Sequence, residues 1–133
     1  MEDFKKLLDD INFSAYLKKL KTKLVNKKVI IYGSGTFFKY VLDNYDLKDI
    51  NIIGISDLKF EEDKEGQEFL GFKIIPKNKI LSYKPDCIIV ATLKYISIVE
   101  DFEENILNKT DIKVYPLAKM PFLKLVKEIW GCN

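Results

Sequence analysis

A chain of 133 residues and 15.5 kDa is one domain's worth of sequence, able to bury most of the surface its unfolded form exposes. With 47% hydrophobic and 32% charged residues it has the composition of a folded chain, too apolar for disorder. Its net charge of +2 is far from the strong basic excess of a nucleic-acid binder.

Absent residue types narrow the chemistry further. No histidine is present, which excludes a His-based triad, a His-ligated zinc and the commonest general base near neutral pH. No arginine is present either, so a bidentate guanidinium clamp on phosphate is unavailable. Anion binding must fall to backbone N–H groups, helix N-termini or lysines. Cys87, inside an apolar run, and Cys132 make neither a disulfide framework nor a metal-ligand pattern. No apolar run approaches the length of a membrane span, and the charged start lacks the apolar segment of a signal peptide. The expectation is a cytoplasmic protein with no membrane insertion.

Along the chain, Phe4, Leu7, Leu8, Ile11, Leu17, Leu20 and Leu24 recur at three- and four-residue intervals, which predicts an amphipathic helix or helix pair broken at Ser14. Val29-Ile30-Ile31-Tyr32 reads as a fully buried strand. Residues 36–45 put Phe37, Val41 and Tyr45 on one helical face, with a cap near Thr36. Residues 51–55 form a second strand, 58–68 a polar loop or single turn, and 72–75 a short strand stopped by Pro76. A brief helix is expected at 77–83, the clearest buried strand at 86–91, an amphipathic helix from Ile96 to Leu107, a last strand at 112–115 and a helical tail at 121–130. Apolar runs alternating with amphipathic helices argue for βαβ units and a parallel sheet covered on both faces. The expected fold is one Rossmann-like α/β domain with five strands in the order 3-2-1-4-5. Residues 1–26 would form an N-terminal helical segment, 28–117 the core, and 118–133 a C-terminal helical tail.

The chemistry centres on the glycine loop Gly33-Ser34-Gly35 and the helix start at Thr36 and Phe37. Gly-x-Gly alone is a weak signal, but here it follows a predicted strand and opens a predicted helix, the context a dinucleotide turn requires. The first glycine permits the turn, the second lets a pyrophosphate approach the backbone, and the helix offers unpaired N–H groups and a positive dipole end. Such a turn also asks for an acid after the second strand, to bond ribose hydroxyls, and Asp57 stands there. Ser56 and Thr92, at predicted strand C-terminal ends, would line the same crevice. The plain alternatives are a strand-to-helix turn that holds nothing and an ordinary loop aspartate. Phe38 occupies the position of the motif's third glycine, so its ring must displace the helix or fill part of the pocket.

From Lys28 to Leu117 the order of IIYGSGTFFKYVLDN, IIGISDLKF, KEGQEFLGFKIIP, PDCIIVATLKY and IKVYPL resembles the small Rossmann-like domains of nucleotide-sugar and surface-polysaccharide biosynthesis. These are the CoA-binding-like or nucleoside-diphosphate-sugar epimerase or dehydratase N-terminal regions. It is also similar to the C-terminal domain of certain sugar C-methyltransferases, including a segment like Gly66 to Gly71. The resemblance implies nucleotide-binding positions at Gly33, Ser34, Gly35 and Asp57, and binding more than turnover, since catalysis in those larger proteins lies in another domain.

Rival readings fare less well. Tyr115 and Lys119 match the letters of a short-chain dehydrogenase Tyr-x-x-x-Lys, but Pro116 and the strand context keep them off a common helix face. Lysines 18, 19, 21, 23, 27 and 28 read as a solvated face. The apolar N-terminal helix and the tail ending near Trp130 either complete the core or join a second subunit or partner enzyme. The expected function is therefore binding of NAD(H) or a nucleotide sugar, with no catalytic residue. Phosphates would sit on the N–H groups of Ser34, Gly35, Thr36 and Phe37, ribose on Asp57, and base or sugar near Ser56, Thr92 and Tyr95. NADP is disfavoured, because Asp57 would repel a 2′-phosphate. The alternatives are an interaction or oligomerisation domain with a degenerate site, and a binder of an S-adenosylmethionine-type ligand.

Overall fold

A computed structural model describes residues 3–120. Helix α1 (Phe4–Asp10) starts where the Asp3 side chain accepts a hydrogen bond from Lys6 N at 3.1 Å. Helix α2 (Phe13–Lys23) follows directly. The break falls at Asn12, whose left-handed backbone (φ 53°) redirects the chain at a residue type that tolerates it. Ser14, expected to be the breaking cap, lies inside the first turn of α2.

The apolar run expected as the first strand forms β1 (Lys28–Tyr32). It is followed by α3 (Thr36–Asn44), β2 (Asn51–Ser56) and a single 3-10 turn at Glu62–Lys64. Two-residue strands β3 (Glu68–Phe69) and β4 (Phe72–Lys73) make an antiparallel hairpin. A 3-10 helix, Lys77–Tyr83, leads to β5 (Cys87–Val90). Helix α4 (Ile96–Asp101) widens into a π turn, Phe102–Ile106, before β6 (Lys113–Pro116). The expected tail helix at 121–130 lies outside the described residues.

The sheet has four parallel strands in the order β2-β1-β5-β6. The segment 72–75, expected as a fifth strand, divides instead. Phe72 and Lys73 pair with the hairpin, and Ile74 alone reaches the sheet edge, through one parallel bridge to Ile55. Ile75 N then donates to Ile55 O at 2.9 Å, and Pro76, with no N–H, cannot extend the pairing. The approach is close because residue 54 is glycine: a Cβ there would stand 2.3 Å from Ile75 Cδ1.

Side chains alternate across the sheet as strand geometry requires. Val29 and Ile31 face Leu8, Leu17, Leu20 and Phe38 on the side of α1, α2 and α3. Ile30, Tyr32 and Ile88 face Ile75, Ile80, Phe102 and Leu107 on the other. Fully burying one such side chain is worth roughly 1.5–3 kcal/mol, so both layers are held by apolar burial. Among the described residues no helix is long and apolar enough to cross a membrane.

Candidate functional site

At the C-terminal end of β1 the chain turns at Gly33, with φ +119°. Its N–H donates to Ser56 O at 2.8 Å. A Cβ at this position would lie 3.0 Å from Thr92 Cγ2 and 3.1 Å from Ala91 O. Both the backbone angle and the crowding by the chain after β5 therefore require glycine. Ser34 comes next, and both its N–H and its Oγ donate to Asp57 Oδ2, at 2.9 and 2.8 Å. Asp57 Oδ1 accepts from Lys59 N at 3.2 Å. The carboxylate thus ties the turn after β1 to the turn after β2, with one oxygen committed to Ser34 and the other keeping spare acceptor capacity.

Gly35 differs from Gly33. It is the N-cap of α3 with φ −85° and ψ −166°, a conformation open to any residue, and no side chain caps the helix. A Cβ built on it would meet nothing within 4 Å. Nothing in the fold requires glycine at 35. The first-turn N–H groups of α3, on Thr36 and Phe37, carry the helix's positive end.

The two phenylalanines after this turn point away from it. Phe37 packs on Phe4 with ring centroids 5.5 Å apart, and Phe38, wholly buried, sits 6.1 Å from Phe72. The ring in place of the motif's third glycine therefore occupies the core under the hairpin and does not line the crevice. Of the other expected residues, Ser56 is fully buried with its Oγ unpartnered. Thr92 Oγ1 donates to Lys94 O at 3.2 Å. Tyr95 is buried in the core on the α2 side, where its hydroxyl accepts from Met120 N at 3.2 Å.

Beside the turn lies a cleft of about 280 Å³ to which Gly33, Asp57 and Thr92 contribute, together with Leu58. Its remaining wall is Tyr32, Lys77, Ser97, Ile98 and Asp101. Tyr95 does not reach it. Lys77 Nζ is 2.9 Å from Asp101 Oδ2 and stands 5.5 Å from the Tyr32 ring centre and 5.4 Å from that of Phe102. The bond from Lys77, then one from Asn105 Nδ2, hold the Asp101 carboxyl below the usual carboxylate range. Burial, then the charges of Asp57 and Asp101, push the Tyr32 phenol up to about 12. Tyr32, Lys77, Ser97 and Asp101 were missed by the sequence reading. Tyr32 carried one readable signal, as the polar-tipped end of an otherwise aliphatic strand. Lys77 and Asp101 carried none, since 24 residues separate them in the chain.

A larger depression of about 840 Å³ opens between the end of α3 and the start of β2, lined by Leu42, Tyr45, Ile52 and Phe72 among others. It lies away from the glycine turn. Tyr115 is in β6 and Lys119 beyond it, so no helix face joins them; Lys23 Nζ stands 5.3 Å from the Tyr115 ring centre instead.

The fold and this turn together define a small α/β domain whose parallel strands end at a glycine turn and an uncapped helix. Residues 25–115 match the family described as C2185-like, N-terminal. The match covers more than half of the chain, which belongs to that family. No curated protein matches it.

Proposed function

We propose that this domain is a Rossmann-like binding module for a nucleotide-containing ligand, NAD(H) or a nucleotide sugar, whose phosphates rest on the N–H groups of Gly35, Thr36 and Phe37. The observation that carries this reading is Gly35. Its backbone is ordinary and the space above it is empty, so the protein's own packing gives no reason for a missing side chain, whereas a phosphate approaching the helix N-terminus does. The spare lone pairs on Asp57 Oδ1 suit a ribose hydroxyl. The sheet order β2-β1-β5-β6, with the Ile74 bridge at its edge, supports the finer 3-2-1-4-5 pattern as a version with one strand reduced to a single contact. The module binds and does not catalyse, in line with the resemblance to domains of nucleotide-sugar and polysaccharide biosynthesis.

Isothermal titration with NAD⁺, UDP, UDP-glucose and CoA tests it, on the native protein and on Gly35→Leu. One ligand binds in the micromolar range, and the substitution weakens it at least about tenfold, or 1.4 kcal/mol, without lowering the melting temperature. Silence from all four sinks the reading. It would leave the interaction-module alternative, which one observation favours: Asp57 Oδ2 is already taken by Ser34.

A further inference from the structure

We infer that the cleft beside the glycine turn is a subsite for the polyhydroxylated ring of a phosphorylated ligand, read by the Tyr32 hydroxyl together with the Lys77–Asp101 pair. This rests on the phosphate-binding reading of the turn and adds to it what the rest of the ligand is.

Three observations converge on it. The first is the balance of charge. The cleft presents two carboxylates, Asp57 and Asp101, against one ammonium, Lys77, already bonded to Asp101. A second anion is repelled from such a lining, while a neutral group rich in O–H donors finds an acceptor on Asp101, with Asp57 left to the ribose. The phosphate belongs at Gly35 and the hydroxyls in the cleft.

The second is Tyr32. The residue is only 4% exposed and lines the cleft, and no hydrogen bond reaches its hydroxyl from the described residues. The hydroxyl opens to the cleft, where a ligand hydroxyl would take the place of water as its partner. Its ring is held edge-on to Phe102 at 5.0 Å and beneath Lys77, so the hydroxyl is fixed in direction. Its raised pKa keeps it a neutral O–H across the physiological range.

The third is size. At about 280 Å³ the cleft falls just under the roughly 300–1,000 Å³ typical of sites that enclose a drug-sized ligand. It admits one ring and not both halves of a dinucleotide. Ser97 and Thr92 edge the same space, and Ile98 adds an apolar part to its lining.

The test compares UDP-glucose with UDP by isothermal titration on the native protein, Tyr32→Phe and Asp101→Asn. Tyr32→Phe keeps the packing on Phe102, and a melting curve for each variant verifies folding. UDP-glucose binds more tightly than UDP to the native protein. Each substitution weakens UDP-glucose about five- to tenfold, the value of one or two hydrogen bonds, and leaves UDP unchanged. UDP-glucose no tighter than UDP, or equal losses for both ligands, overturns the subsite while leaving the phosphate site standing. Silence from both on the native protein overturns the phosphate site and the subsite with it.

Discussion

The two faces of the sheet are built from alternate residues of the same strands and end up with different chemistry. Toward α1, α2 and α3 the layer is apolar and rich in aromatic rings. Phe13 meets Tyr45 edge-on with ring centroids at 4.8 Å, Phe4 meets Phe37, and Phe38 is closed off entirely. Toward α4 the same strand β1 presents Ile30 and then Tyr32, and the layer opens at its upper end into a cleft holding Lys77, Asp57 and Asp101. Apolar contact dominates the first face, where the Tyr16 and Tyr95 hydroxyls are bonded to the backbone of Pro116 and Met120. On the second it stops one residue short of the strand end, and polar groups take over where the helix N-terminus and the loop ends converge.

The sharpest way to break this contrast is Phe38→Gly, which restores the motif's third glycine. It should remove about 3–5 kcal/mol of stability through the cavity it leaves, with about 1 kcal/mol more for glycine in a helix. Urea unfolding measures this. A variant as stable as the native protein would mean that Phe38 is a pocket residue after all.

At the boundary between the faces, Gly33→Ala should cost about 1–3 kcal/mol. Its φ of +119° strains any L side chain, and its Cβ would press on the Ala91 carbonyl. The same urea experiment reads the loss, and an unchanged midpoint would show that the turn can relax.

The smallest effect sharpens the cleft side. The folded pKa of Tyr32 lies above its unfolded value of 10.0, so its contribution to stability is fully present below pH 10.0 and is lost as pH rises toward about 12. An ultraviolet tyrosinate titration should show two phenols titrating late in this range, Tyr16 and Tyr32, both pushed to about 12 chiefly by burial, of which Tyr32→Phe removes one. Loss of no late phenol would place the hydroxyl in contact with bulk water.

Much of the fold was legible because local patterns and tertiary structure agree there. The runs at 29–32, 51–55 and 86–91 become strands, and the helix after the glycine turn starts at Thr36. The expected strand at 72–75 was less so. Its apolar letters look the same whether they pair with a hairpin or with the sheet, and the choice is made by Gly54 and by Pro76. The π turn after Asp101 had no signal in the helical spacing. Within the candidate site, the glycine turn after β1 and the place of Asp57 after β2 were readable from the motif, but the bonds from Ser34 to Asp57 and the retreat of Tyr95 into the core were not.

By itself the sequence determined the α/β class, the strand that ends in glycine and the absence of His and Arg chemistry. Those follow from periodicity and residue type, which act over a few neighbours. Only the tertiary structure decided where the Phe38 ring goes, which lone pairs of Asp57 stay open, and that Lys77 and Asp101 meet over Tyr32. Those outcomes depend on chain segments far apart in sequence being brought within a few ångströms, and no local pattern encodes such a meeting.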